Sequence, residues 1–222
     1  MNAQKIEKLA TSDKDLEYVD LFYTIQGEGP FAGRPAVFLR LAGCNLQCKF
    51  CDTDYTSNRK VINVAELADK LKNDFKCRFL VITGGEPLRQ AGAVSRLLHN
   101  IIDAWDVQIE TNGTLSVEGL YNKVSIVVSP KARIHHSVYS DQKTTYFKFL
   151  VSYDTFGSME DPTDCNGIGI LPAVKHGKYV YLQPLDEGDD VKNEKNTALV
   201  IELAKMYNFN VSTQLHKIWG IA

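Results

Sequence analysis

The sequence lacks any long apolar run. No window approaches the roughly 20 apolar residues that a membrane-spanning helix needs, so no membrane partner is expected. A basic block is missing too: 25 lysines and arginines stand against 27 aspartates and glutamates, a formal net charge of −2. A chain balanced in this way has no electrostatic footprint for nucleic acid or an anionic membrane surface. Met1 to Asp20 is polar and mixed in charge, with no apolar stretch of the kind a secretory signal requires. Cysteines are few, five in 222 residues, and three of them crowd into one short loop, so a disulfide framework is not expected either. Thiols used this way suit a reducing compartment, and the cytoplasm is the expected one. Internal repeats and linker-like shifts of composition are absent. The 222 residues therefore read as one domain, with residues 1–17 as a polar, frayed lead-in.

What is present is concentrated between Gly43 and Thr53. Cys44, Cys48 and Cys51 are spaced C-x3-C-x2-C, which lets one loop turn three thiolates toward a bound metal centre. A structural zinc ion takes four protein ligands, and a ferredoxin-type cluster also takes four cysteines. Here the local count stops at three. In a four-iron cluster that leaves one iron without a protein ligand and open to a small molecule. A zinc site would need a remote fourth ligand from Cys77, Cys165 or one of five histidines, none of which stands in a tight paired spacing with the loop.

Around this loop, short apolar strands alternate with amphipathic helices. Strands are predicted over Leu16–Thr24, Ala36–Leu41, Phe79–Ile82, Val107–Glu110, Ser125–Val128, Tyr146–Val151 and Tyr179–Leu182, with Asn210–Leu215 a last extended piece. One helix follows an Asn63 N-cap with Glu66 at the capping-box position and Val64, Leu67, Ala68 and Leu71 on its apolar face; two more cover Gln90–Asp103 and Asn193–Tyr207. This alternation predicts an α/β fold with mostly parallel strands and right-handed crossovers. The crossover helices are fewer than a full eight-unit barrel of about 250 residues needs, so a shortened, open (β/α) partial barrel is expected. The long connection from Asp154 to Lys178 reads as functional, mobile or an oligomer contact.

In such folds ligands gather at the carboxyl ends of the strands. The unusual turns fall there: the cysteine loop, Thr83-Gly84-Gly85-Glu86-Pro87, Glu110-Thr111-Asn112-Gly113, Ser129-Pro130-Lys131 and Gln183-Pro184. Gly84-Gly85 lets backbone approach a ligand closely. The turn Ile25 to Pro30 is either punctuation or a recognition element presenting Gln26 and Glu28. Arg40 interrupts an apolar strand and needs a partner, a carboxylate of the protein or a bound anion. His216 is an acid–base group, a substrate contact or a structural histidine. His135 and His136 read as loop residues, Cys77 and Cys165 as incidental thiols, and Phe50 as a shield for the metal centre.

The cysteine loop followed by Gly-Gly-Glu-Pro resembles the radical S-adenosylmethionine (SAM) enzymes. A finer set of features resembles the 7-carboxy-7-deazaguanine synthase family from about Tyr18 to the C-terminus. It comprises Gln26-Gly27-Glu28-Gly29, Phe38-Leu39-Arg40-Leu41, Cys51-Asp52-Thr53, the Ser-Pro-Lys and Gln-Pro-Leu-Asp turns, and Gln214 to Gly220. The resemblance implies a 4Fe–4S cluster on Cys44, Cys48 and Cys51, with SAM chelating the fourth iron. It implies ring contraction of 6-carboxy-5,6,7,8-tetrahydropterin with loss of ammonia, begun by a 5′-deoxyadenosyl radical that takes hydrogen from C6, with SAM re-formed. By the same resemblance Thr53 is a Mg²⁺ ligand, and Ile25, Gln26, Gly27, Arg40, Thr83 and the chain end Ala222 are substrate contacts. SAM contacts fall on Gly85, Ser129, Lys131, Gln183, Pro184, Leu185 and Asp186. Arg40 has an independent reason, since a guanidinium fork suits a carboxylate. A homodimer and a flavodoxin or ferredoxin electron donor are the implied partners. Two readings compete: another radical SAM enzyme such as a glycyl-radical activase, against which the Gln-Gly-Glu-Gly turn and Cys51-Asp52-Thr53 weigh, and a non-catalytic zinc-binding protein.

Overall fold

The structure, a computed structural model, describes residues 4–6, 8–9, 12–140, 144–156, 164–165, 168–169, 173–174 and 178–221. Its elements in chain order are β1 (Asp15–Ile25), β2 (Pro35–Leu41), β3 (Lys60–Asn63), α1 (Val64–Asp74), β4 (Phe79–Gly84), α2 (Ala91–Ile101), β5 (Asp106–Thr111), β6 (Ser125–Val128) and α3 (Ser137–Ser140). Then come β7 (Thr145–Val151), α4 (Tyr153–Phe156), β8 (Asp164–Cys165), β9 (Ile168–Gly169), β10 (Tyr179–Pro184), α5 (Asp190–Tyr207), β11 (Asn210–Val211) and α6 (Leu215–Trp219). The main sheet runs β11-β10-β7-β6-β5-β4-β2-β1-β3, and β8 pairs with β9 in a second, two-stranded sheet. From β2 to β11 every neighbour is parallel, while β1 lies antiparallel to both β2 and β3. The result is the expected open α/β sheet, with an antiparallel edge that strand patterning alone did not reveal.

Burial explains the elements. One face of the parallel strands is apolar and buried under the crossovers, through Leu39, Leu41, Leu80, Ile82, Ile109, Ile126, Phe147 and Phe149; the other carries Arg40, Thr83, Glu110, Lys148 and Gln183 toward the cavity described below. Helix α1 buries the expected face, and the Asn63 side chain accepts the Ala65 N–H at 3.0 Å. Helix α5 starts at Asp190, three residues before the patterned face, because Asp189 caps the Lys192 N–H at 3.1 Å. It ends on Asn208 in the left-handed region, φ +56°. None of the helices among the described residues is long and apolar enough to cross a membrane.

Three expectations change. Strand β3 was not anticipated, since Lys-Val-Ile-Asn carries little apolar signal; it forms because Asp15 to Tyr18 offer it an edge. The extended piece predicted over Asn210–Leu215 pairs only at Asn210 and Val211, and Leu215 already opens α6. Between them, Ser212 is buried and its hydroxyl is engaged, accepting the Gly29 N–H and donating to Gln183. The lead-in is not free of the domain: residues 15–17 belong to β1, and Gln4 is hydrogen-bonded to the cysteine loop. The Asp154–Lys178 connection lies partly outside the described residues, as does Ala222.

The end of β4 is the tightest junction for the site. Gly84 sits at φ +120°, the Gly85 N–H donates to the Leu41 carbonyl at 3.0 Å, and the Glu86 N–H donates to the Gly43 carbonyl at 3.0 Å. A Cβ on Gly85 would collide with the Gly43 backbone, which has no freedom to retreat. Gly85→Ala is therefore expected to cost at least about 2 kcal/mol. Gly119→Ala, at φ +80° but facing open space, is expected to cost about 1 kcal/mol. Urea unfolding with unchanged m-values measures both; equal costs would show that the strand ends are not in forced contact.

Candidate active site

The carboxyl ends of the parallel strands enclose a cavity of about 440 Å³. This is the size range of small-molecule sites. Every site residue expected from the sequence lines it except Ala222, which is outside the described residues. Cys44, Cys48, Cys51 and Thr53 come from the loop after β2, Arg40 from β2 itself, and Ile25 to Gly27 from the β1–β2 turn. Thr83 is at the end of β4 and Gly85 just past it, Ser129 and Lys131 follow β6, and Gln183 to Asp186 run off the end of β10, with His216 from α6 closing the rim.

The three cysteines are half-buried and in no disulfide. Burial pushes each thiol above its ordinary pKa, with the Lys131 ammonium pulling Cys48 back down and Glu86 and the other two thiols raising Cys44 further. Thiols in such surroundings become ligands only when a metal centre supplies the compensating charge. Among the described residues, no three His, Cys, Asp or Glu side chains are grouped closely enough to hold one metal ion. Cys44, Cys48 and Cys51 all line this cavity, and a multi-iron cluster, which distributes its thiolates over several irons, suits three such thiols. Cys77 lies off this cavity, its thiol against the Pro35 carbonyl at 3.2 Å, and the Cys165 side chain is outside the described residues. Phe50 lines the cavity yet stays 42% exposed, so it shields only in part; the Lys131 Nζ sits 5.7 Å from its ring centre.

Charges in the cavity divide into two kinds. The Lys148 ammonium is buried against Glu28, and the second Glu28 oxygen accepts from Gln214 Nε2 at 2.8 Å. Burial pushes the Glu28 carboxyl up, but Lys148 and Gln214 outweigh it and bring the pKa down to about 2. Burial likewise acts to lower Lys148, and the Glu28 and Glu110 carboxylates hold it well above the ordinary lysine range. Arg40 differs. Its guanidinium lies 5.4 Å from the Phe22 ring centre, its buried Nε has no hydrogen-bond partner, and it makes no ion pair among the described residues. The salt-bridge reading of Arg40 is thus not met by the protein, which leaves the guanidinium facing the cavity in need of an acceptor. Glu110 is held by neutral donors, Gln26 Nε2 at 3.0 Å, Gln108 Nε2 at 2.8 Å and Thr83 Oγ1 at 3.3 Å, and lines the cavity. Lys131, desolvated and repelled by Lys148, is lowered to about 8, and donates to Ser129 Oγ at 2.5 Å.

Glu86 of the Gly-Gly-Glu-Pro turn does not reach the cavity. Fully buried, it accepts from the Leu88 and Asn112 N–H groups and from Thr111 Oγ1 at 2.7–3.0 Å, binding the end of β4 to the end of β5. Helix α6 is moored over the β1–β2 turn: the Leu215 N–H donates to the Gly27 carbonyl at 3.0 Å, and His216 packs on Gly27. Lys217 bridges Asp186 at 2.6 Å and Asp52 at 3.3 Å. Neither Lys148 nor Lys217 was given a role from the sequence. Lys148 carried the same signal as Arg40, a cation inside an apolar strand; Lys217 stood only within the terminal run Gln214 to Gly220 that carries the resemblance.

The fold and the thiol-lined cavity at the strand ends define a radical SAM enzyme, and residues 39–142 match the profile of the Radical SAM superfamily. That superfamily carries a 4Fe–4S cluster and SAM. The 7-carboxy-7-deazaguanine synthase of Rickettsia prowazekii is 36% identical to the chain, covering 93% of it and 88% of that relative. The enzyme of the same name from Rhodospirillum rubrum is 35% identical over 91% of each. The crystal structure of QueE from Escherichia coli superposes with a TM-score of 0.66 over 90% of this chain and 94% of that one, at 24% identity. The chain belongs to the 7-carboxy-7-deazaguanine synthase family.

Breaking the Glu28–Lys148 pair tests the electrostatics. Lys148→Ala strands a buried carboxylate and is expected to cost about 3–5 kcal/mol, with Glu28→Gln added on top recovering part of the loss. Because the folded pKa of Glu28 lies below its ordinary 4.5, its contribution is present above pH 4.5 and fades as the pH falls toward 2. Urea midpoints across that window should therefore fall with acid in the parent and much less in Lys148→Met; identical acid profiles would contradict the pairing.

Proposed function

We propose that the chain converts 6-carboxy-5,6,7,8-tetrahydropterin to 7-carboxy-7-deazaguanine with release of ammonia, as a radical SAM carbon–nitrogen lyase of queuosine biosynthesis. The atoms of the substrate divide between product and ammonia without net oxidation, so SAM serves as a cofactor. The observation that carries the reading is the unpaired Arg40 guanidinium in the same cavity as the three thiols. A substrate carboxylate supplies the acceptor that Arg40 lacks.

Cys44, Cys48 and Cys51 would hold the cluster, and cluster and SAM, when bound, would supply the hydrogen-abstracting radical chemistry. The Gly85 backbone, Ser129, Lys131 and the stretch Gln183, Pro184, Leu185, Asp186 form the SAM wall of the cavity. Ile25, Gln26, Gly27, Arg40 and Thr83 hold the pterin, with Glu110 beside them, fixed by Gln26 and Gln108. Thr53 offers its hydroxyl as a Mg²⁺ ligand, next to Asp52 at 3.4 Å, in keeping with a hard cation that keeps few protein ligands. His216, packed on Gly27, acts as a substrate contact. The chain works as a single domain, as a homodimer in the cytoplasm, with a flavodoxin or ferredoxin as electron donor.

The test is anaerobic turnover of iron–sulfide-reconstituted protein with SAM, dithionite, Mg²⁺ and the carboxy-tetrahydropterin, followed by mass spectrometry. Carboxy-deazaguanine is the expected product; deoxyadenosine without it would discard the substrate. Cys48→Ala is expected to abolish SAM cleavage, and cleavage that survives would remove the cluster assignment. Arg40→Ala is expected to raise the pterin KM about 10- to 100-fold while SAM affinity stays within about twofold, the worth of one or two charged hydrogen bonds. Equal loss of both would make Arg40 a structural residue.

A further inference from the structure

The two arms of the cysteine loop are fastened differently. The first arm is tied to the body of the domain: Arg89 Nη1 donates to the Cys44 carbonyl at 3.0 Å, and Asn45 is held between Thr114 and Asn112 at 2.8 and 2.9 Å. The second arm, after Cys51, is tied to the lead-in. Gln4 Nε2 donates to the Thr53 carbonyl at 2.8 Å, and Gln4 Oε1 accepts the Tyr55 N–H at 2.7 Å and the Thr56 hydroxyl at 3.2 Å. The Gln4 carbonyl also accepts from Gln47 Nε2 at 2.8 Å, so one residue grips the loop on both sides of Cys48 and Cys51. The loop's own backbone bonds are two, Gly43 N–H to the Tyr55 carbonyl at 2.9 Å across its base and Cys51 N–H to the Cys48 carbonyl at 3.2 Å, and neither holds Thr53 or Thr56. The Tyr55 N–H fixes which end of the Gln4 amide is the acceptor, so both faces of the carboxamide are committed.

The lead-in is in turn held against the domain. Leu9 packs on Gly43, and Arg59 Nη2 donates to the Lys8 carbonyl at 3.3 Å. Arg59 itself is ion-paired with the buried Glu17 of β1. Resting on the cluster reading above, we infer that Gln4 is a positioning residue of the metal centre: it brackets the second arm so that Cys48, Cys51 and Thr53 stay in a cluster-receptive arrangement, and cluster retention depends on it. A segment that sequence composition marks as a frayed tail thereby becomes part of the machinery that holds the cofactor.

The test is Gln4→Met, which keeps length and apolar bulk but removes the side-chain bonds. In the metal-free chain, amide exchange at Tyr55 and Thr56 is expected to quicken about tenfold while the β4 and β5 amides are unchanged, which shows that the fold is intact. In the reconstituted protein, loss of cluster absorbance to an iron chelator is expected to quicken about tenfold at an unchanged urea midpoint. Exchange and chelation rates within twofold of the parent would overturn the inference. Parent protein that takes up no iron would instead overturn the cluster reading, and the exchange measurement on the metal-free chain would still decide whether Gln4 brackets the loop.

Discussion

The site depends on one backbone contact. Where β4 leaves the sheet, Gly85 and Glu86 donate to the carbonyls of Leu41 and Gly43, and no side chain fits between the two strand ends. That contact fixes where the cysteine loop begins, because Cys44 follows Gly43 directly. It also turns the Glu86 carboxylate inward, where it takes Thr111 and Asn112 and so sets the end of β5. Three strand ends are thus registered to one another by polar groups rather than by apolar packing. The cavity between them inherits a rigid rim, as a site that must place a substrate to within fractions of an ångström requires.

On that rim the energetics of buried charge separate structure from function. Lys148 and Arg40 are both cations set into apolar strands. Lys148 is compensated by Glu28, and that pair also anchors the C-terminal segment through Gln214. Arg40 has only an aromatic face beneath it and an orphaned Nε. A protein keeps an uncompensated buried donor at a cost, and a ligand that completes it gains the difference on binding. The thiols obey the same logic: burial disfavours their ionised form, so on the reading proposed above cluster binding and thiol deprotonation would be one event.

Much of this was legible in the sequence, and the parts that were not share a cause. The alternating apolar runs located the parallel strands, and the Gly, Pro and Cys turns marked their carboxyl ends. Parallel topology then made one cavity of turns more than a hundred residues apart in sequence, such as Cys44 and Gln183. Arg40 stood out because a charge in an apolar strand is locally anomalous; Lys148 was equally anomalous but was absorbed into its strand. What left no local signal was pairing across the chain. Strand β3 exists because β1 offers it an edge, α6 begins early because Leu215 finds the Gly27 carbonyl, and Gln4 is ordered because the cysteine loop presents it with donors and acceptors. Periodicity and propensity report the first kind of fact and are silent on the second.

The central claim is that three thiolates leave one iron open and that SAM closes it. Electron–nuclear double resonance on the reduced cluster, with SAM labelled by ¹⁵N at the amino group and ¹⁷O at the carboxylate, tests it most directly. Hyperfine coupling from both labels, lost in Cys48→Ala, is the predicted result. A cluster signal that SAM leaves unchanged would contradict it, and would mean that the fourth coordination position is filled by the protein itself.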